Sequence, residues 1–105
     1  MAVAELFKAL GEPTRLKMVE RLSTDGAHTI TSLLRGIKIS RQGARKHLQI
    51  LADSKVITMR PQGRNTSVQL DRRTLEAGKK FIAALELQWE KRLEALRDFV
   101  EEKKG

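Results

Sequence analysis

Ile39-Ser40-Arg41-Gln42-Gly43-Ala44-Arg45-Lys46-His47-Leu48-Gln49-Ile50-Leu51 is the stretch on which the fold turns. The Ser40 hydroxyl can accept from an otherwise unpaired backbone N–H, so it predicts a helix start there, with the helix running to about Asp53. On a helical wheel Ala44, Leu48 and Leu51 share one face. Gln42, Lys46 and Gln49 point the other way, with Arg45 on the flank and Arg41 in the first turn. An ordinary solvated face mixes charges of both signs, but this one meets no acid before Asp53. Arg pairs bidentately with guanine and Gln with adenine, and the N-terminal half of a recognition helix is the part that touches base edges. Helix 40–53 is therefore expected to read duplex DNA.

Upstream, Val3, Leu6, Phe7 and Leu10 keep helical spacing until Gly11, and Pro13 suits the first position of a second helix with Leu16, Val19 and Leu22 on one face. Ser23, Asp25 and Gly26 mark a turn, and His28-Thr29-Ile30 reads as a brief strand or extended link. Thr31 is placed to cap a short helix carrying Leu33 and Leu34 and ending at Gly36. The connection Gly36-Ile37-Lys38-Ile39 then has the length that helix-turn-helix units use, the unit spanning 31–53. Downstream, Val56 to Met59 and Thr66 to Leu70 read as strands joined by a turn at Pro61-Gln62-Gly63-Arg64-Asn65, a basic-tipped β-hairpin over 55–71. From Thr74 one long helix is expected, with an apolar stripe of Ile82, Leu85, Trp89, Leu93, Leu96 and Val100 and a frayed end at Lys103-Lys104-Gly105. The expected architecture is mainly α with a small β-hairpin: a single winged helix-turn-helix domain over 1–105 with a long C-terminal dimerisation helix.

The charge distribution points the same way. Residues 37–73 carry nine cations against only Asp53 and Asp71, whereas residues 74–105 are neutral, so nearly all of the net +8 lies in the middle third. A polyanion is the partner such an imbalance suggests. Phe7, Phe81, Trp89 and Phe99 all lie outside that basic third. Sheet-platform binders of single strands stack bases on aromatic rings, so a basic segment without one favours duplex DNA.

Three motifs in order, Leu10-Gly11-Glu12-Pro13-Thr14-Arg15-Leu16, the 39–51 stretch, and Gln62-Gly63-Arg64, resemble the ArsR/SmtB family of bacterial and archaeal repressors over about residues 3 to 71. The resemblance implies that Arg41, Gln42 and Arg45 read bases, while Ser40, Lys46 and His47 meet phosphates or brace the helix. It assigns DNA contact to the wing pair Gly63 and Arg64, with Arg64 suited to a phosphate or a narrow A·T-rich minor groove. It also implies a dimer through the first and last helices, 1–10 and 74–102, using Leu6, Phe7, Leu85, Trp89, Leu93 and Leu96. Two positions depart from the family pattern: Lys55 stands where a left-handed Gly usually precedes the wing, and Val68 replaces a frequent aromatic.

The chain has no Cys and only His28 and His47, so the cysteine sites and the Asp and His pairs of metal-responsive members have no counterpart. The chain resembles the subgroup without metal-binding cysteines, and neither a metal nor a cofactor is expected. The sequence shows no nucleophile–base constellation and no phosphate-binding Gly-rich loop, so enzyme activity is not expected. No apolar run approaches the roughly 20 residues that cross a bilayer, and Glu5 and Lys8 interrupt the N-terminal stretch, which predicts a cytoplasmic protein without a membrane partner. The expected function is a homodimeric repressor on a palindromic duplex operator. Two alternatives are a protein-interaction module built on the C-terminal helix and a nonspecific architectural DNA binder. No residue pattern specifies a small-molecule or protein inducer.

Overall fold

The computed structural model describes residues 3–104. Met1 and Ala2, within the bounds of the first expected helix, and Gly105 of the expected frayed end lie outside the described residues. The element order is α1 Val3–Leu10, α2 Pro13–Asp25, β1 His28–Thr29, α3 Ile30–Leu33, α4 Arg41–Asp53, β2 Ile57–Gln62, β3 Asn65–Leu70 and α5 Arg72–Lys104. The three strands form one antiparallel sheet in the order β1-β3-β2.

Glu12 opens α2 by accepting from Arg15 N at 2.9 Å, with Pro13 in the first turn, and the Gly26 N–H closes the helix on Leu22 O at 3.0 Å. Its buried residues are Met18, Val19 and Leu22, whereas Leu16, expected on that face, is 42% exposed. Arg15 takes the place nearer the middle of the stripe, and its Nε donates to Ala9 O at 2.7 Å. This satisfies a carbonyl at the end of α1 that the helix itself cannot pair.

The short helix starts earlier than expected. Thr29, not Thr31, is its N-cap: Thr29 Oγ1 accepts from Ser32 N, and Ser32 Oγ accepts from Thr29 N, both at 3.1 Å. This reciprocal capping box frees Thr31 and fixes the step from β1, which pairs with β3 through His28↔Val68 and Thr29↔Ser67. The extended link is thus the third strand of the sheet.

Ser40 caps α4 as expected, accepting from Gly43 N at 3.0 Å, and Ala44, Leu48 and Leu51 are buried. At the other end Lys55 adopts φ 60°. Val56 N bonds Leu51 O at 2.9 Å and Lys55 N bonds Ala52 O at 3.0 Å, the two bonds of a Schellman motif. Lys55 therefore performs the left-handed turn that Gly usually makes, at a cost of about 1–2 kcal/mol.

The turn of the wing is shorter than the five residues expected. Strand pairing continues through Pro61↔Thr66 to Gln62↔Asn65, leaving Gly63-Arg64 as a two-residue turn with Gly63 at φ 62°. Positive φ at the first central position alone is the type II′ pattern, whose twist matches that of the strands. Pro61 is tolerated because β2 is an edge strand and its pair lies one step from the hydrogen-bonded pair at the turn, where the ladder asks nothing of its nitrogen. Val68 is fully buried, so an aliphatic residue fills the place of the family's aromatic.

Helix α5 begins two residues before Thr74 because Asp71 Oδ1 accepts from Arg73 N at 3.0 Å and caps it. Its early turns pack on α1 at a close crossing: a Cβ on Gly78 would lie 2.5 Å from Leu6 Cδ2. Leu6 is 2% exposed and belongs to the core, contrary to its expected place on a free dimer surface. At 1.5 Å per residue the 33 residues of α5 span about 50 Å, and the chain measures 73 × 25 × 23 Å. A radius of gyration of 19.5 Å, against about 13 Å for a compact chain of this size, reflects that projecting helix.

Candidate nucleic-acid interface

Helix α4 rests on the core through Ala44, Leu48 and Leu51, which turns Arg41, Gln42, Arg45 and Lys46 to solvent. Among the described residues, no ion pair involves Arg41, Arg45, Lys46 or Arg64. The acid at the far end of α4, Asp53, accepts from Gln49 Nε2 at 2.8 Å. The N-terminal half of the helix therefore presents cations and one amide without internal neutralisation.

His47 differs from its neighbours. Its side chain is 22% exposed, with Nδ1 lying 3.2 Å from Arg15 Nη1 and 3.6 Å from Glu12 Oε2. These contacts clamp the middle of α4 to the start of α2. The Glu12 carboxyl is held below its usual value chiefly by the Arg15 backbone N–H; burial opposes this, and the Thr14 N–H and the nearby His47 and Arg15 add to the lowering. His47 thus contacts α2 through Arg15 and Glu12 while lying on α4.

Arg21 anchors the other half of the unit: its Nη1 donates to Leu33 O at 2.7 Å and Arg35 O at 2.6 Å, satisfying the end of α3. The wing meets this unit from the side. A cleft of about 660 Å³ lies between α3, α4 and the hairpin, and Arg41, Arg45 and Arg64 all line it. Arg35 is a fourth lining arginine that the sequence reading missed, because nothing in its local pattern indicates that the chain folds it toward the wing. Arg15 and Glu12 stand out in the sequence only as part of a motif, and no periodicity signals their role under α4. Gln42 and Lys46, both exposed, are absent from the cleft lining.

The structure also assembles a serine–histidine–carboxylate chain not recognised in the sequence: His28 Nδ1 lies 2.8 Å from Ser32 Oγ, and His28 Nε2 lies 3.1 Å from Asp25 Oδ2. Ser32 Oγ is engaged by Thr29 N, Thr29 Oγ1 and Thr29 O, all within 3.2 Å, so the hydroxyl serves the capping box. His28 and His47 belong to separate networks, and among the described residues no group of three or more His, Cys, Asp or Glu is placed to hold a metal ion. No described helix is long and apolar enough to cross a membrane.

Comparison with known proteins agrees with this geometry. A helix-turn-helix domain model matches residues 10–60. The HTH-type transcriptional regulator MJ1325 of Methanocaldococcus jannaschii is 32% identical over 60 residues, 57% of this chain and 67% of that one. The HTH-type transcriptional regulator Rv2034 of Mycobacterium tuberculosis is 34% identical over 65 residues, 62% of this chain and 60% of that one. The chain thus spans about two thirds of the first relative and less of the second. The crystal structure of the ArsR family transcriptional regulator RHA00566 superposes with a TM-score of 0.77 at 28% identity, covering 84% of this chain and 90% of that one. A winged helix-turn-helix DNA-binding domain of Mycobacterium bovis, described as homodimeric, shares the fold with a TM-score of 0.61 at 21% identity, covering 88% and 82%. The chain belongs to the helix-turn-helix transcriptional regulators, shares the fold of the ArsR family regulator above, and functions in DNA-binding transcriptional regulation.

Proposed function

We propose that the protein is a homodimeric repressor, without enzymatic activity, that binds a palindromic duplex operator. Each protomer lays the N-terminal half of α4 in a major groove and the wing tip along the flanking backbone or minor groove. The observation that carries this reading is the convergence of Arg41, Arg45 and Arg64 on one cleft with no lining acid beside them. Arg41, Gln42 and Arg45 are assigned to base edges, Ser40 and Lys46 to phosphates, and His47 to bracing the helix.

The dimer follows from α5. Phe81, Ile82, Leu85, Trp89, Leu93 and Leu96 are between 43% and 60% exposed, far more apolar surface than a lone soluble helix presents. The stripe continues the face that Gly78 already packs on α1, and Phe7 stands 6.0 Å from Phe81 at the junction. A second copy of the chain, its α5 paired antiparallel about a two-fold axis, would cover both apolar stripes at once. The Mycobacterium bovis domain of the same fold is described as homodimeric, in keeping with a second copy as the cover.

Selection of bound sequences from random duplex DNA tests the whole reading. A palindromic motif with half-sites about one helical turn apart is expected. Uniform binding would instead favour an architectural binder, and no binding a protein-interaction module.

A further inference from the structure

We infer that the cleft between α4 and the wing is also a binding site for a small organic anion, a carboxylate with a compact apolar body. The inference rests on the DNA reading above only for its regulatory consequence. At about 660 Å³ the cleft has the size of a small-molecule site. Its two kinds of lining call for two kinds of ligand chemistry. Ile30, Leu34, Ile37 and Ile39 line it with half-buried hydrocarbon, and Arg35, Arg41, Arg45 and Arg64 supply the charge, with no Asp or Glu among the lining residues.

A sugar-phosphate strand satisfies guanidinium groups but offers little hydrocarbon for the isoleucine floor. A carboxylate with an aliphatic or aromatic body satisfies both, because the guanidinium fork matches a carboxylate bidentately and the apolar body leaves water. Occupation places the ligand on three arginines assigned to DNA, so ligand and DNA exclude one another. The anion would then release the regulator by direct competition, without a change of fold.

The test uses the full chain, isotopically labelled for amide NMR, titrated with sodium octanoate and 2-naphthoate; 1-octanol and inorganic phosphate are the comparison probes. Saturable shifts centred on Leu34, Ile37 and Ile39 at sub-millimolar Kd are expected, with at least fivefold weaker binding of octanol and phosphate. Arg35→Ala leaves a surface side chain shorter and should weaken carboxylate binding at least fivefold while the amide spectrum stays folded. In a second arm, carboxylate at ten times its Kd should weaken binding of a fluorescent duplex about tenfold. Failure of both carboxylates to saturate by 5 mM would overturn the inference. So would shifts confined to the groove between α1 and α5, full retention of binding by Arg35→Ala, or DNA affinity unchanged by bound carboxylate. Carboxylate binding in the cleft of a protein that binds no duplex at all would support the site and contradict the DNA reading, which keeps the two failures distinct.

Discussion

Arg15 Nη1 lies 3.2 Å from Nδ1 of His47, tying the first turn of α2 to the middle of α4. The same arginine donates through Nε to Ala9 O, and its backbone N–H donates to Glu12, so one residue joins α1, α2 and the recognition helix. The orientation of the proposed DNA-reading face depends on this joint as well as on apolar packing. Arg15→Ala is expected to destabilise the fold by about 1.5–3 kcal/mol, the range for hydrogen bonds made by charged groups, measured by urea unfolding. No change in the unfolding midpoint would show that the joint is incidental.

Glu12 gives the joint a pH dependence. Its folded-state pKa is lowered, so its contribution is present above the usual carboxylate pKa and is lost as pH falls through the lower folded value. The melting-temperature gap between the natural protein and Glu12→Ala should therefore be widest near neutrality and close below about pH 4. A gap that stays constant down to pH 3 would contradict the assigned cause.

Gly78 permits the crossing of α1 and α5, since a Cβ there would meet Leu6 Cδ2 at 2.5 Å. Gly78→Val should cost about 1–3 kcal/mol by overpacking a site where Leu6 is already buried. Gly78→Ala should cost less, because a gain of about 1 kcal/mol in helix propensity offsets part of the clash. Equal stability of Gly78→Val and the natural protein in thermal unfolding would mean that the helices do not approach this closely.

Lys55 stores strain at φ 60°. Lys55→Gly should gain up to about 1 kcal/mol, because relief of the left-handed penalty exceeds the added chain entropy. Lys55→Val should lose stability, since branching at Cβ makes that backbone region still less accessible. The reverse order in denaturant melts would exclude a left-handed residue at this position.

How much of this is legible in the sequence depends on whether a signal is local. Ser40 and Asp53 bracket α4 as expected because a hydroxyl cap, an apolar face and a run of cations all act within one helix. Lys55 stands out because the family pattern places Gly there. Thr29 and Thr31 are equivalent as capping types, and only the partner hydroxyl of Ser32 and pairing with β3 choose between them. Pro61 reads as a turn because its effect depends on being at a sheet edge, which no local window reveals. Leu6 and Leu85 both look like interface residues, but Leu6 is buried beneath Gly78 while Leu85 is half exposed. The arginine set is legible where it lies on α4 and the wing. Arg35 is not, because its place in the cleft depends on packing across the fold.

Trp89, 60% exposed in the isolated chain, marks the middle of the proposed dimer surface. Trp89→Asp should give a monomer by light scattering at micromolar concentration, because a charge there would be desolvated on pairing, and should weaken operator binding. A Trp89→Asp protein that keeps twice the chain mass would move the interface elsewhere.

Sequence-specific reading by α4 is tested most directly by a salt titration of Arg45→Ala and Lys46→Ala on the selected operator and a scrambled duplex. Arg45→Ala is expected to cost about 1–3 kcal/mol per half-site on the operator and much less on the scrambled duplex. Lys46→Ala should weaken both alike and lower the salt slope by about one unit for each phosphate it no longer neutralises. Arg64→Ala should fall between them, with its largest effect beside A·T-rich flanks. Equal losses on both duplexes for Arg45→Ala, or unchanged binding for all three variants, would contradict the assignment of this face to reading DNA.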